Sequence, residues 1–231
     1  MCGRYASSRP AGELASWFEV EEQPEQVLPP NYNVAPTDPV YAVLERDGTR
    51  LLRVLRWGLV PSWAKDAKGA ARLINARRES VADKPAFRAA YQRRRCLLPA
   101  DGYFEWQQRD DATKQPWFLS ARDGAPLAMA GLYEVWTPPE GERLWTATVL
   151  TTQAADELGH VHDRTPLLVE RAHWARWLDP DSGDPGADLL HPGTPGTLDS
   201  WPVSAAVGNV RNDGPELVRP VSTEPHEPRL L

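Results

Sequence analysis

Cysteine is scarce in this sequence: Cys2 and Cys96 are the only two among 231 residues. One possible pair makes no disulfide framework. No CxxC spacing accompanies the five histidines, so a zinc site has no ready ligand set. Long apolar runs are missing as well, and none approaches the roughly 18 residues that cross a bilayer. The first thirty residues lack the basic-then-apolar order of a secretory signal. The expectation is a soluble cytoplasmic protein with no membrane contact, no metal and no organic cofactor. Lysine is the third shortage, with four residues against 22 arginines.

Acid outweighs base, for a net charge of −6. That excludes a uniformly basic polyanion binder and leaves room for a local one. Between Lys65 and Arg95, ten basic residues meet only Asp66, Glu79 and Asp83, whereas Asp179 to Leu231 holds nine acidic residues against three arginines. A solvated helix surface is the simpler account of that stripe, and a polyanion-binding face is the alternative.

Leu14, Trp17 and Phe18 at helical spacing predict a helix over 13–20. Residues 40–45 and 51–57 read as strands around the turn Asp47-Gly48. Asp83, followed by Pro85, predicts the start of a basic helix running to Arg95. Strand-like runs follow at 96–98, 102–107, 117–121, 127–135 and 144–151. Helical patterns follow at 154–158 and 170–178. Residues 179–196 read as a loop, and the tail after Pro220 has no periodicity. No repeat or linker divides the chain. The pattern predicts one α+β domain with a sheet that curls on itself.

Cys2 carries the sharpest chemistry. Removal of Met1, which a small second residue permits, leaves a 1,2-aminothiol. Its amine has an ordinary pKa of about 7.7–8.0, so a useful fraction is neutral near pH 7. Such a group condenses with an aldehyde to an imine, and the thiol then closes a thiazolidine ring. It can also serve as the nucleophile of an amidohydrolase, with its own amine as base. An incidental small residue at a frayed end is the alternative.

Other candidates are weaker singly. In LINARRES, Asn75 and Arg77 face the same way if the segment is extended, which suits phosphate or carbonyl recognition. Asn75 as a helix N-cap is the competing reading. In PADGYFEWQ, Glu105 alternates with Phe104 and Trp106, and burial there would raise its pKa toward the range of proton transfer. An outward-facing carboxylate fits the alternation equally. In HVHDRTP, a single imidazole poised as acid or base fits better than a metal pair. YNVAPTDP and WGLVPSW add Asn33, Pro36 and Trp63, residue types that wedge between or stack on unpaired bases, although most tryptophans are core.

In order along the chain, MCGR, YNVAP, WGLVPSW, INAR, PADGYFEW, HDRTP and WPVSAAVGNVRN together resemble the SOS response-associated peptidase (SRAP) family, the abasic-site processing proteins. The resemblance runs from residue 1 to about 221, implying one SRAP-type domain with a barrel-like, largely antiparallel core flanked by helices. Residues 222–231 would be a C-terminal tail. It implies that Cys2, freed of Met1 in part by the protein's own peptidase-like activity, traps abasic sites in single-stranded DNA as a thiazolidine crosslink. Asn75, Glu105 and His162 would be catalytic. Asn75 would hold the cysteine or opened sugar, Glu105 would handle protons, and His162 would assist the imine. Arg4 and Arg77 would contact the phosphate backbone, and Asn33, Pro36 and Trp63 would shape the DNA groove. His160 matches no family residue. Slow lyase activity, action as a monomer and location at damaged DNA in the nucleoid are further expectations. An N-terminal-nucleophile amidase or peptidase and a non-covalent reader of single-stranded or modified DNA are the competing functions.

Overall fold

In the computed structural model, residues 2–154, 161–183 and 196–221 are described. The chain runs β1 (Arg4–Ser7), α1 (Ala11–Trp17), β2 (Asn31–Val34), β3 (Pro39–Arg46), β4 (Thr49–Trp57), β5 (Asn75–Arg77) and α2 (Arg88–Arg93). It continues with β6 (Arg95–Ala100), β7 (Gly102–Gln108), β8 (Lys114–Ala121), β9 (Leu127–Trp136) and β10 (Leu144–Gln153). The last elements are β11 (Arg164–Pro166), α3 (Trp174–Leu178) and β12 (Leu198–Pro202). The sequence hairpin is present: Asp47 and Gly48 have φ of 53° and 77°, the left-handed pair that a tight two-residue turn requires, and β3 pairs with β4 along its whole length.

Two sheets form. One has the order β12-β8-β7-β1-β2. The other runs β11-β10-β4-β3-β6-β9, and β9 also pairs antiparallel with β10 from Leu144 to Val149, so β10, β4, β3, β6 and β9 close into a ring. The curled, largely antiparallel sheet expected from the sequence is this ring. Its parallel seams lie on β10, which meets β4 at Thr146 and Ala147 and β5 from Val149 to Thr151.

Alternation divides the core. Val40, Ala42 and Leu44 of β3, with Cys96 and Leu98 of β6, share an apolar cluster with Tyr5, Tyr103 and Leu119 of the five-stranded sheet. Tyr41, Val43 and Leu97, pointing the other way, pack with Leu14 and Phe18 of the α1 region, Tyr91 of α2 and Trp177 of α3. The functional strands therefore lie where the two sheets meet, and the helices cover the other face.

The basic helix expected from Asp83 to Arg95 is shorter, Arg88 to Arg93. Arg95 instead opens β6 and is buried, so it does not belong to a solvated basic stripe. Its guanidinium donates to the carbonyls of Tyr91 (2.8 Å) and Gln92 (2.7 Å) at the end of α2, Trp177 (2.6 Å) at the end of α3, and Gly183 (2.8 Å). One cation thus satisfies the orphan carbonyls of two helix ends. The helical pattern at 170–178 appears as a short 3₁₀ turn followed by α3. The pattern at 154–158, most of the acidic loop and the tail after 221 fall largely outside the described residues.

Candidate active site

β1 is held on both flanks. Tyr5 pairs with Val34 of β2, and Arg4 and Tyr5 pair with Phe104 and Tyr103 of β7. Continuing that antiparallel register carries Glu105 across from Gly3, next to Cys2. Gly102, where β7 begins, tolerates no side chain: a Cβ there would stand 2.4 Å from Phe118 Cζ and 2.5 Å from the Leu119 carbonyl oxygen. The close approach of β8 fixes the strand that delivers Glu105.

Cys2 is fully buried, with its Sγ 4.0 Å from the Arg4 carbonyl. Burial, and then the nearby Glu105 charge, push its thiol pKa up. The thiol is therefore held protonated and needs a neighbour to take its proton. Asn75 reaches it from the other sheet. Its Nδ2 donates to the Cys2 carbonyl at 2.8 Å, and its buried Oδ1 has no hydrogen-bond partner among the described residues. Asn75 lies on a strand, not at a helix cap, with Ala76 buried between it and exposed Arg77. The same-face reading of Asn75 and Arg77 therefore holds.

Glu105 is 3% exposed. Burial first, opposed by the positive amino terminus, brings its carboxyl pKa to about 7. The alternation placed it correctly beside Tyr103 and opposite Phe104 and Trp106, but both faces of β7 are covered. Phe104 packs with Phe118, Val203, Val207 and Leu217. The outward-facing alternative is thereby removed.

His162 and Glu105 line one small cavity together with Tyr103, Arg164 and Thr165. His162 Nδ1 accepts from the Arg164 backbone N–H at 3.0 Å and stands 2.8 Å from Asp163 Oδ1. The neutral ring therefore carries its proton on Nε2, and protonation would turn Nδ1–H toward Asp163. Burial first lowers the imidazole pKa, so the neutral form prevails near pH 7.

The remaining candidates are placed differently. Arg4 donates to Asn33 Oδ1 (2.7 Å) and to the carbonyls of Val207 (2.8 Å) and Gly208 (3.3 Å). Asn33 Nδ2 donates to Val207, Asn209 and Asn212 carbonyls at 3.2, 3.1 and 2.8 Å. These two side chains clasp the 207–212 segment onto the start of the chain. Pro36 is half-buried in a turn closed by Asp38, which accepts from the Ala35 N–H. Trp63 stands 68% exposed in the loop after β4. Asn75 bonds Cys2, the Cys2 thiol feels the Glu105 charge, and Glu105 and His162 share a cavity that Pro36 and Trp63 do not line. Sequence reading gave Arg164 no role, yet it grips Glu79 with two bonds (3.1 and 3.0 Å) and the Thr151 carbonyl (2.7 Å). Its only signal was its place in HDRTP. His160 lies outside the described residues. Among the described residues no three His, Cys, Asp or Glu side chains gather as metal ligands, and no helix is long and apolar enough to cross a membrane.

An amide, a carboxyl group and an imidazole thus gather around residue 2. Residues 1–210 match the family described as SOS response associated peptidase (SRAP), and the chain belongs to that family. It is 36% identical over 221 residues to the abasic site processing protein YoqW of Bacillus subtilis, covering 94% of this chain and 99% of that one. It is 36% identical over 231 residues to the abasic site processing protein YedK of Escherichia coli, covering 96% and 100%. A crystal structure of a Bacteroides thetaiotaomicron protein superposes with a TM-score of 0.85 over 96% of this chain and all of that one, at 24% identity, a likeness of fold.

Proposed function

We propose that this chain processes abasic sites in single-stranded DNA by trapping them on Cys2. Hydrolytic loss of Met1, by the protein's own site or by an aminopeptidase, frees the Cys2 amine. The abasic deoxyribose opens when its hydroxyl proton leaves and a proton is delivered to the ring oxygen, exposing an aldehyde at C1′. The amine adds to C1′, water departs, and an imine forms. The thiol then adds to the same carbon while its proton passes to the imine nitrogen. One water is lost, no electrons are exchanged, and the product is a thiazolidine.

Glu105, with its pKa of about 7, gives and takes protons at neutral pH. Asn75 steadies the Cys2 carbonyl, and its open Oδ1 accepts from the amine or an opened-sugar hydroxyl. His162 presents Nε2–H to the imine. Arg77 meets a phosphate beside the lesion, Trp63 and Pro36 shape the groove, and Arg4 and Asn33 serve the DNA path by holding the 207–212 segment. The imine is also the branch point for β-elimination, so slow strand cleavage accompanies trapping. The protein acts as a monomer in the cytoplasm, at damaged DNA of the nucleoid.

The observation that carries this reading is the Asn75 grip on Cys2 beside a carboxyl group tuned to neutral pH. Its test is incubation with a single-stranded oligonucleotide bearing one abasic site, followed by a denaturing gel and intact mass. Wild type lacking Met1 should give a heat-stable adduct that Cys2→Ala does not. An adduct from Cys2→Ala would move the trap to another residue, and none from wild type shown to have lost Met1 would overturn it and leave the amidase or the non-covalent reader.

A further inference from the structure

Glu105 lies on a strand of one sheet, and His162 lies just before a strand of the other. Pairing of β7 with β1 and β8 fixes Glu105 in the five-stranded sheet. His162 precedes β11, which is fixed on β10 of the ring. Among the described residues no ladder joins β7 to β11, so backbone pairing alone does not set the approach of the two groups. Apolar contact of Tyr103 and Leu119 with the ring is non-directional and fixes no register, and the directional Asn75–Cys2 bond joins the sheets at other strands.

A directional contact crosses the gap. Tyr103 OH lies 2.9 Å from Thr165 Oγ1, and both side chains are buried. Thr165 Oγ1 also lies 3.4 Å from the Pro166 carbonyl. Either hydroxyl can donate across this pair, and when Thr165 donates to Pro166 it is Tyr103 that donates to Thr165. Burial keeps Tyr103 a phenol, and so a donor, throughout the neutral range. Tyr103 is two residues before Glu105 on the same face of β7, and Thr165 is three residues after His162. All four side chains line the same cavity.

We propose that Tyr103 and Thr165 are positioning residues, whose hydroxyl bridge holds the histidine-bearing segment against the carboxylate-bearing strand and sets the geometry in which Glu105 and His162 serve Cys2. The inference rests on Cys2 being the trapping residue. The bridge acts through Glu105 and His162, and its loss should alter rate and imidazole titration together.

Thr165→Val and Tyr103→Phe remove a hydroxyl and keep the shape, and Thr165→Ser restores it. Adduct formation on the abasic oligonucleotide should slow about fivefold in each single variant, the rate equivalent of one hydrogen bond. The double variant should be no slower than the slower single one, because both remove the same bond. Thr165→Ser should match wild type. By NMR, the His162 pKa, held down by burial, should rise toward its ordinary value in Thr165→Val and stay put in Thr165→Ser. The charged groups around the imidazole, Glu105, Asp163, Arg164, Lys114 and the amino terminus, are the same in all of them. Wild-type rates and an unmoved His162 pKa, with only a lower thermal midpoint, would overturn the proposal. If wild type forms no Cys2-dependent adduct, the functional reading fails instead. The titration then decides the bridge alone: a shifted His162 supports it and an unmoved one overturns it.

Discussion

A carboxyl group that ionises near pH 7 inside the fold and near 4.5 outside it ties stability to pH in one direction. Between those values the folded chain keeps the Glu105 proton that the unfolded chain has released. The stability that Glu105 contributes is greatest below about pH 4.5, falls as pH rises through the window, and is level above it. The loss is on the order of 3 kcal/mol. Glu105→Gln should therefore unfold at higher denaturant than wild type at about pH 8, with the difference gone at about pH 4, while its adduct formation slows. Equal midpoints at both pH values would mean that other groups compensate the buried carboxylate. The sequence showed a carboxylate flanked by aromatics but not its burial. Alternation reveals which residues share a face, and on β7 both faces are covered. One is covered by the ring and the other by Val203, Val207 and Leu217, from distant parts of the chain.

At the scale of elements, the clasp of Arg4 and Asn33 is the connection most exposed to test. Asn33 is 2% exposed, and one side-chain amide satisfies three carbonyls of the 207–212 segment. Asn33→Ala leaves those carbonyls and the Arg4 guanidinium short of partners. It should cost about 2 kcal/mol of unfolding free energy. Hydrogen exchange should also quicken across 207–212, and an unchanged exchange pattern there would refute the clasp. The β3–β4 hairpin was legible because its turn chemistry is local: Asp47-Gly48 supplies the left-handed backbone by itself. The helix before Arg95 was misread for the converse reason. Its charges look like a solvated face, but Arg95 is drawn inward by carbonyls at the ends of two helices that are far apart in sequence.

Over the whole molecule, a net charge of −6 coexists with a basic stretch of sequence from Lys65 to Arg95. Two of its arginines are already engaged, Arg95 in the core and Arg94 with Glu134 at 2.7 Å. Arg77 is exposed, and the proposed function gives it a phosphate. Binding to single-stranded DNA should weaken with salt, and Arg77→Gln should lower the slope of log affinity against log salt by about 0.7. Fluorescence anisotropy over a salt series measures it, and an unchanged slope would remove Arg77 from the interface. The α+β class was readable from the count of short strands, and the family motifs made a barrel-like core expected. The ring's closure through β10 was not readable, because its partners lie on four separate stretches of chain and periodicity carries no pairing order.

The central place of β1 also has a mechanical side. A covalent adduct at Cys2 would make that residue the point where a machine travelling along the DNA pulls on the protein. The load would enter β1, whose four residues are laddered to β2 on one flank and β7 on the other. Tension along the strand would shear both ladders together, whereas tension across it would peel them bond by bond. The ring of β10, β4, β3, β6 and β9 lies off this load path, tied to Cys2 through Asn75. A trapped molecule under force would therefore load the two β1 ladders first.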